Sequence, residues 1–220
     1  MEQYGNYDSR LKLPFLMVLA GPTSSGKTVF LTELLKNTVL KFDKQLDKII
    51  YCYAEYLDDT FKLLSSLFNN KIQFIKGLNF DIEVFNKEKN NFLIIDDLIQ
   101  DSVSSKEISE LFTRQSHHRN LSVCLISQNL FCQGKQSVTI NRNSQYLVLF
   151  KNPRDSAQII CLAKQVFPGN SKLLLDAFKS ATERPFGYLL LDFKQNTPDV
   201  LRLRTNILPK EWPEIVFVPK

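Results

Sequence analysis

The chain has little of what stapled or metal-centred folds require. Its 220 residues include four cysteines, two histidines, one tryptophan and seven glycines. Cys52, Cys124, Cys132 and Cys161 are scattered without any C-x-x-C spacing, so free thiols buried in a reducing compartment are expected. His117 and His118 are neighbours and point in different directions, whereas a zinc site needs convergent ligands. No apolar run approaches the ~20 residues of a membrane helix, so no membrane partner is expected. The opening stretch "MEQYGNYDSRLK" is polar and mixed in charge, unlike a secretory signal. The protein is therefore expected to work inside a cell. Internal repeats, low-complexity blocks and linkers are missing too, which predicts a single domain over 1–220.

What is present is ordinary for a soluble globular protein: 44% hydrophobic and 23% charged residues. The net charge of +5 permits a polyanionic partner without demanding one. Short apolar runs alternate with segments of helical period. "LPFLMVLAG" (13–21), "DKIIYCYAE" (47–55), "KIQFIKG" (71–77), "NNFLIIDDL" (90–98), "LSVCLISQN" (121–129) and "SQYLVLFKNP" (144–153) read as strands. "KTVFLTELLK" (27–36), with Val29, Phe30, Leu34 and Leu35 about a turn apart, reads as a helix. So do 56–69, 104–120 (with Ser105 as N-cap), 155–167 and 170–181. "FGYLLLDF" and "VLRLRTNI" read as a strand pair, and the proline-rich tail from 206 as an arm. Strands alternating with helices predict an α/β fold with a mostly parallel central sheet flanked by helices.

The most informative stretch is "LAGPTSSGKTVFLTELL" (19–35). Gly21, Pro22, Thr23, Ser24, Ser25, Gly26, Lys27 and Thr28 match G-x-x-x-x-G-K-[ST] between a strand and a helix. At average composition the pattern arises by chance in roughly one chain of a hundred this long, and the required context makes it rarer still. Its backbone N–H groups and the positive end of the helix form an anion hole. Lys27 is expected to reach the β- and γ-phosphates of ATP, and Thr28 to offer its hydroxyl to Mg²⁺. A second half is needed, an acid closing a buried strand, and "NFLIIDDL" supplies two. Neighbours on a strand end point to different sides. Asp96 is accordingly expected at the metal and Asp97 at the attacking water.

From Lys27 to Asp96 is 96 − 27 = 69 residues, a span holding two strand-like runs. Together with the lack of a base-reading N-K-x-D motif, this argues against a switch GTPase. It favours a P-loop sheet with an additional strand between the phosphate-loop strand and the acid strand. Such sheets carry a polar residue at the end of the next strand, and Gln128 in "ISQN" is the candidate γ-phosphate sensor.

The segments "GPTSSGKT", "FLIIDDL", "SHHRNLSVCLISQNLF" and "RNSQYLVLFKNPRD", in this order, resemble the genome-packaging ATPases of the FtsK–HerA superfamily. The nearest likeness is to the poxvirus-type branch found in large DNA viruses, virophages, adenovirus-like elements and Maverick/Polinton transposons. It covers residues 13 to 165, and the "HHRN…SQNLF…NPRD" series is its most specific part. The resemblance implies a homo-oligomeric ring motor that hydrolyses ATP to drive double-stranded DNA into a preformed capsid. It thereby implies viral capsid proteins as partners, at the site of virion assembly in host cytoplasm or nucleus. Within the single domain, the expected parts are an ATPase core (12–165), a helix-plus-strand-pair extension (166–205) and a C-terminal arm (206–220). The resemblance also implies an arginine finger reaching the γ-phosphate of a neighbouring subunit. Arg142 and Arg154 are favoured for that role over Arg119. Cellular translocases carry such an arginine just before the fifth strand, where this chain has Gln145. Lys135 and Arg142, within "FCQGKQSVTINR" (131–142), are candidates for tracking DNA phosphates.

Three other readings compete. A P-loop kinase would want an arginine-rich lid and an acceptor pocket. A nonhydrolysing DNA- or capsid-binding protein would not need the intact Lys27, Thr28, Asp96 and Asp97. A clamp-loader-type ATPase would end in a helical lid, whereas this chain ends in a strand pattern.

Overall fold

A computed structural model of the chain describes residues 8–98, 108–115, 119–130, 139–140, 142–154, 156–211 and 213–219. Its strands are β1 (Leu16–Ala20), β2 (Lys48–Tyr53), β3 (Ile72–Lys76), β4 (Asn91–Asp96), β5 (Leu121–Ser127), β6 (Tyr146–Phe150), β7 (Tyr188–Asp192), β8 (Leu203–Thr205) and β9 (Ile215–Val216). Among the described residues they form one nine-stranded sheet in the order β3-β2-β4-β5-β1-β6-β7-β8-β9. The pairings from β3 to β6 are all parallel, and those from β6 to β9 are antiparallel. Helices cover both faces, as a parallel sheet requires. The central strands are therefore buried along their whole length rather than alternating: β1, β5, β6 and β7 have no exposed position.

Two apolar layers sandwich the sheet. On one side lie α1 (Lys27–Lys36), the four-residue α2 (Thr38–Lys41) and α3 (Asp58–Phe68). There the alternate strand residues Met17, Leu19, Ile49, Tyr51, Phe92 and Ile94 pack against Phe30, Leu31, Leu34 and Leu35 of α1 and Phe61 and Leu64 of α3. On the other side Val18, Ile50, Leu93 and Ile95 meet Ile108, Leu111 and Phe112, together with α4 (Ala157–Val166) and α5 (Ser171–Ala181). The period-2 geometry of a strand makes this division: residues two apart share a face.

The additional strand between β1 and the acid strand β4 is β5. The runs at 47–55 and 71–77, which occupy the sequence between the two motifs, lie outboard of β4 as β2 and β3. The segment between the motifs thus extends the sheet outward, and a later strand fills the gap. The C-terminal strand pair is also present and gains β9 as a third strand on β8. The expected arm from 206 carries that strand, and its Ile207 and Leu208 are buried in the α1-side core. Here the buried Arg204 guanidinium bonds Asp192 at 3.0 Å and Glu214 at 2.9 Å, fastening tail to sheet. In α1, Val29 is 67% exposed and Leu31 takes the buried place expected for it. Residues 111–115 of the expected 104–120 helix form a π-helical turn; Ser105, His117 and His118 lie outside the described residues. Cys52 and Cys124 are buried free thiols, Cys161 is exposed, and Cys132 lies outside the described residues.

Candidate nucleotide-binding site

β1 runs straight into the loop 21–26, which α1 leaves at Lys27. The loop turns tightly. Ser25 N–H donates to the Pro22 carbonyl at 3.2 Å, and Gly21 N–H to the Ser127 carbonyl at 3.2 Å. Ser24 (φ 62°) and Gly26 (φ 101°) both take left-handed backbone, and such turns orient successive N–H groups into one concavity. Gly21 is required by space: a Cβ there would lie 2.6 Å from Phe150 Cβ and 2.8 Å from Ser25 Oγ. Gly26 caps α1 with no side-chain hydrogen bond, so no side-chain cap takes up the first N–H groups of the helix. The Ser25 hydroxyl is buried with no hydrogen-bond partner among the described residues. These features fit a polyphosphate: a buried orphan donor, unpaired helix amides and a floor too tight for side chains.

Lys27 is 8% exposed. Its ammonium folds back over the loop and donates to the carbonyls of Gly21 at 2.6 Å and Pro22 at 2.8 Å. Burial lowers its pKa, and the charges of Asp97 and then Asp96 oppose that shift. The lysine is therefore within electrostatic reach of both acids.

Asp96 closes β4, two residues beyond Ile94, on the sheet face that carries α1. The buried Tyr51 hydroxyl, reaching across from β2, donates to Asp96 Oδ2 at 2.7 Å. Burial raises the pKa of Asp96; the Tyr51 hydrogen bond lowers it, Asp97 raises it and Lys27 lowers it. Asp97 has left the strand. Its φ is 54°, and its N–H donates to the Ile126 carbonyl at 3.3 Å. Gln128, just past β5, donates from Nε2 to Asp97 Oδ2 at 2.9 Å. The interposed β5 thus brings Gln128 to the acid pair. Sequence reasoning missed Tyr51, whose only local signal is an aromatic in a strand-like run. Thr28, in the first turn of α1, and Asp96 are hard oxygen donors of the kind Mg²⁺ takes, with one or two carboxylates and the remaining ligands from phosphate and water. Among the described residues no cluster of three or more His, Cys, Asp or Glu suits a metal held by protein alone.

The arginine candidates are spread out. Arg142 and Arg154 are both exposed on segments flanking β6. Arg119 is paired with Glu83 across the surface. Gln145 is tied to β1: its Oε1 accepts from Leu16 N–H at 2.6 Å and its N–H donates to the Leu16 carbonyl at 2.8 Å. Lys135, with 131–138, lies outside the described residues.

The poxvirus A32 protein family model matches residues 2–184. The chain belongs to the poxvirus A32 protein family. Compared by sequence with curated proteins, this A32-family chain matches none. Its fold is similar to that of the genome packaging NTPase B204 from Sulfolobus turreted icosahedral virus 2, solved in complex with ATP-gammaS. That match has a TM-score of 0.50 and 14% identity over 94% of this chain and 98% of the other. The cytoplasmic domain of the type VII secretion ATPase EccC from Thermomonospora curvata is also similar, with a TM-score of 0.50 and 11% identity. That match covers 94% of this chain and only 24% of the solved cytoplasmic domain. The A32-family chain therefore has an α/β fold shared with packaging and secretion ATPases.

Proposed function

We propose that this A32-family chain is an ATP-hydrolysing motor that moves double-stranded viral DNA into a preformed capsid. One observation carries the reading. A phosphate loop with its lysine lies within electrostatic reach of two adjacent acids, and the second acid is hydrogen-bonded to a strand-end amide. A nucleotide-binding site needs the loop; hydrolysis needs the rest. Family membership and the fold shared with a genome packaging NTPase support DNA and capsid as the partners. The ATP-gammaS held by B204 supports ATP as the nucleotide.

Each group has its own part in the chemistry. The amides of 21–28 and the Ser25 hydroxyl bind the phosphates. Lys27 exchanges its carbonyl partners for the β- and γ-phosphate oxygens and neutralises charge that grows during transfer. Thr28 and Asp96 would hold Mg²⁺, which supplies further charge neutralisation when bound. Tyr51 aims the Asp96 carboxylate, and its hydrogen bond opposes the rise in pKa that burial causes. Asp97 orients the attacking water and takes its proton, and Gln128 fixes the Asp97 carboxylate for that task. Arg142 or Arg154 completes a neighbouring subunit's site in a homo-oligomeric ring. Lys135 and Arg142 belong to the segment that tracks DNA phosphates. The motor acts where virions assemble, in host cytoplasm or nucleus; no described helix is long and apolar enough to cross a membrane. Residues 12–165 form the ATPase core, and residues 166–220 extend it.

The test is the steady-state ATPase rate with and without double-stranded DNA, alongside mass by light scattering. Stimulation by DNA together with an oligomer is expected. A monomer indifferent to DNA and activated by a small phosphate acceptor would replace the motor with a kinase.

A further inference from the structure

We infer that Phe186 is a stacking platform for the base of the bound nucleoside triphosphate, an inference that rests on residues 21–28 being the phosphate site. Phe186 is 68% exposed, unusual for so large an apolar ring, and its φ is 62°. That backbone region is uncommon for a bulky side chain, where glycine would sit without strain. The ring is thus held in the open against both its hydrophobicity and its local backbone preference. Such combinations gather at ligand clamps when the surrounding structure enforces them.

The surroundings do enforce it. The next residue must be glycine: a Cβ on Gly187 would lie 2.3 Å from the Ala181 carbonyl oxygen. Gly187 N–H donates to the Arg184 carbonyl at 3.1 Å, closing a turn around Phe186. Arg184 is tied to Asn206 at 2.7 Å. Tyr188 packs edge-on against Phe30 of α1, with centroids 4.6 Å apart, and its hydroxyl bonds Glu211 at 2.5 Å. The turn therefore has a rigid base and an exposed tip.

The tip sits on the phosphate loop. A Cβ on Gly26 would meet Phe186 Cβ at 3.2 Å and Cδ1 at 3.4 Å. Gly26 is the residue before Lys27, where the helix amides start. Val29, 67% exposed, stands in the first turn of α1, directly after Lys27 and Thr28. An exposed aromatic ring thus lies against the last glycine of the phosphate loop, and an exposed valine follows in the first helical turn. A base tethered by its ribose to phosphates in that hole is the ligand suited to them. Phe186 offers a π-face and no hydrogen-bond group, so it grips purines without distinguishing adenine from guanine.

Titration calorimetry with Mg-ATP, Mg-GTP and inorganic tripolyphosphate tests this. Phe186→Ala is expected to weaken ATP and GTP by about tenfold and to leave tripolyphosphate unchanged, which also reports an intact fold. Phe186→Trp is expected to retain ATP affinity. Its fluorescence, above the Trp212 signal of the unsubstituted protein, should be quenched by ATP and not by tripolyphosphate. Unchanged ATP affinity in Phe186→Ala overturns the platform, as does equal weakening of ATP and tripolyphosphate. Should Phe186→Ala not fold, lack of ATP quenching in Phe186→Trp overturns it. Failure of the phosphate site itself looks different: Lys27→Ala would then bind all three ligands as tightly as the unsubstituted chain.

Discussion

Substituting Asp97 by asparagine separates nucleotide binding from turnover. The exchange is nearly isosteric, and asparagine tolerates the left-handed φ of 54° at this position. Gln128 can rotate its amide and accept from the new Asn side chain, so the 2.9 Å contact has a neutral replacement. The fold is therefore expected to hold. Binding should survive for an electrostatic reason as well. Asp97 raises the pKa of Asp96, so removing its charge favours the ionised form of the carboxylate proposed to hold the metal. It also raises the pKa of Lys27; in the variant Lys27 keeps Asp96 and, once ATP binds, the phosphates. What is lost is the proton acceptor. General base catalysis contributes about 10²–10⁴-fold, or roughly 3–5 kcal/mol of barrier. The assay pairs equilibrium Mg-ATP binding with steady-state phosphate release. Affinity within a few-fold of the unsubstituted chain, with turnover down by about 10²–10⁴, is expected. Turnover that persists refutes the base assignment. Loss of binding together with turnover means that the two acids have exchanged roles.

Tyr51→Phe removes the hydrogen bond that lowers the pKa of Asp96 while burial still raises it. Asp96 must be ionised to work, and activity is lost as pH falls through its pKa. The acid limb of the pH–rate profile should therefore move to higher pH, and an unmoved limb would separate Tyr51 from the site. Gly21→Ala forces a Cβ to 2.6 Å from Phe150 Cβ, close to the backbone of β6 and unable to swing away. About 1–3 kcal/mol of overpacking is expected, at ~2–4 °C of Tm per kcal/mol for a chain this size; a melting curve identical to that of the parent would show the loop to be looser than described. Whichever of Arg142→Ala and Arg154→Ala abolishes turnover should regain activity when mixed with Lys27→Ala subunits, because the finger acts across an interface. No recovery at any ratio for either variant rules out both as fingers.

How much of this is legible in the sequence depends on the range over which each feature is encoded. The phosphate loop is local: eight consecutive residues contain the glycines, lysine and hydroxyls, and the strand before and helix after are visible in adjacent periodicities. The acid pair is local as well, since a charged doublet ending a buried strand is visible without knowing its neighbours. Tyr51 is not, because its role comes from β2 lying beside β4 in a register that pairs Tyr53 with Asp96 and leaves Tyr51 two residues behind on the same face. Nothing between residues 51 and 96 specifies that pairing. The position of β5 is a similar case. Its strand character is plain, yet its insertion between β1 and β4 is a topological fact, and only that insertion carries Gln128 to Asp97. The tail is the opposite case. Pro209, Pro213 and Pro219 are strong local breakers, but Ile207 and Leu208 are buried, and two residues at 215–216 suffice to pair with an open sheet edge. Phe186 lies beyond both kinds of signal. In sequence it is one apolar residue beside a glycine, and its meaning comes from a turn, closed by Gly187, that sets the ring against Gly26 some 160 residues earlier in the chain.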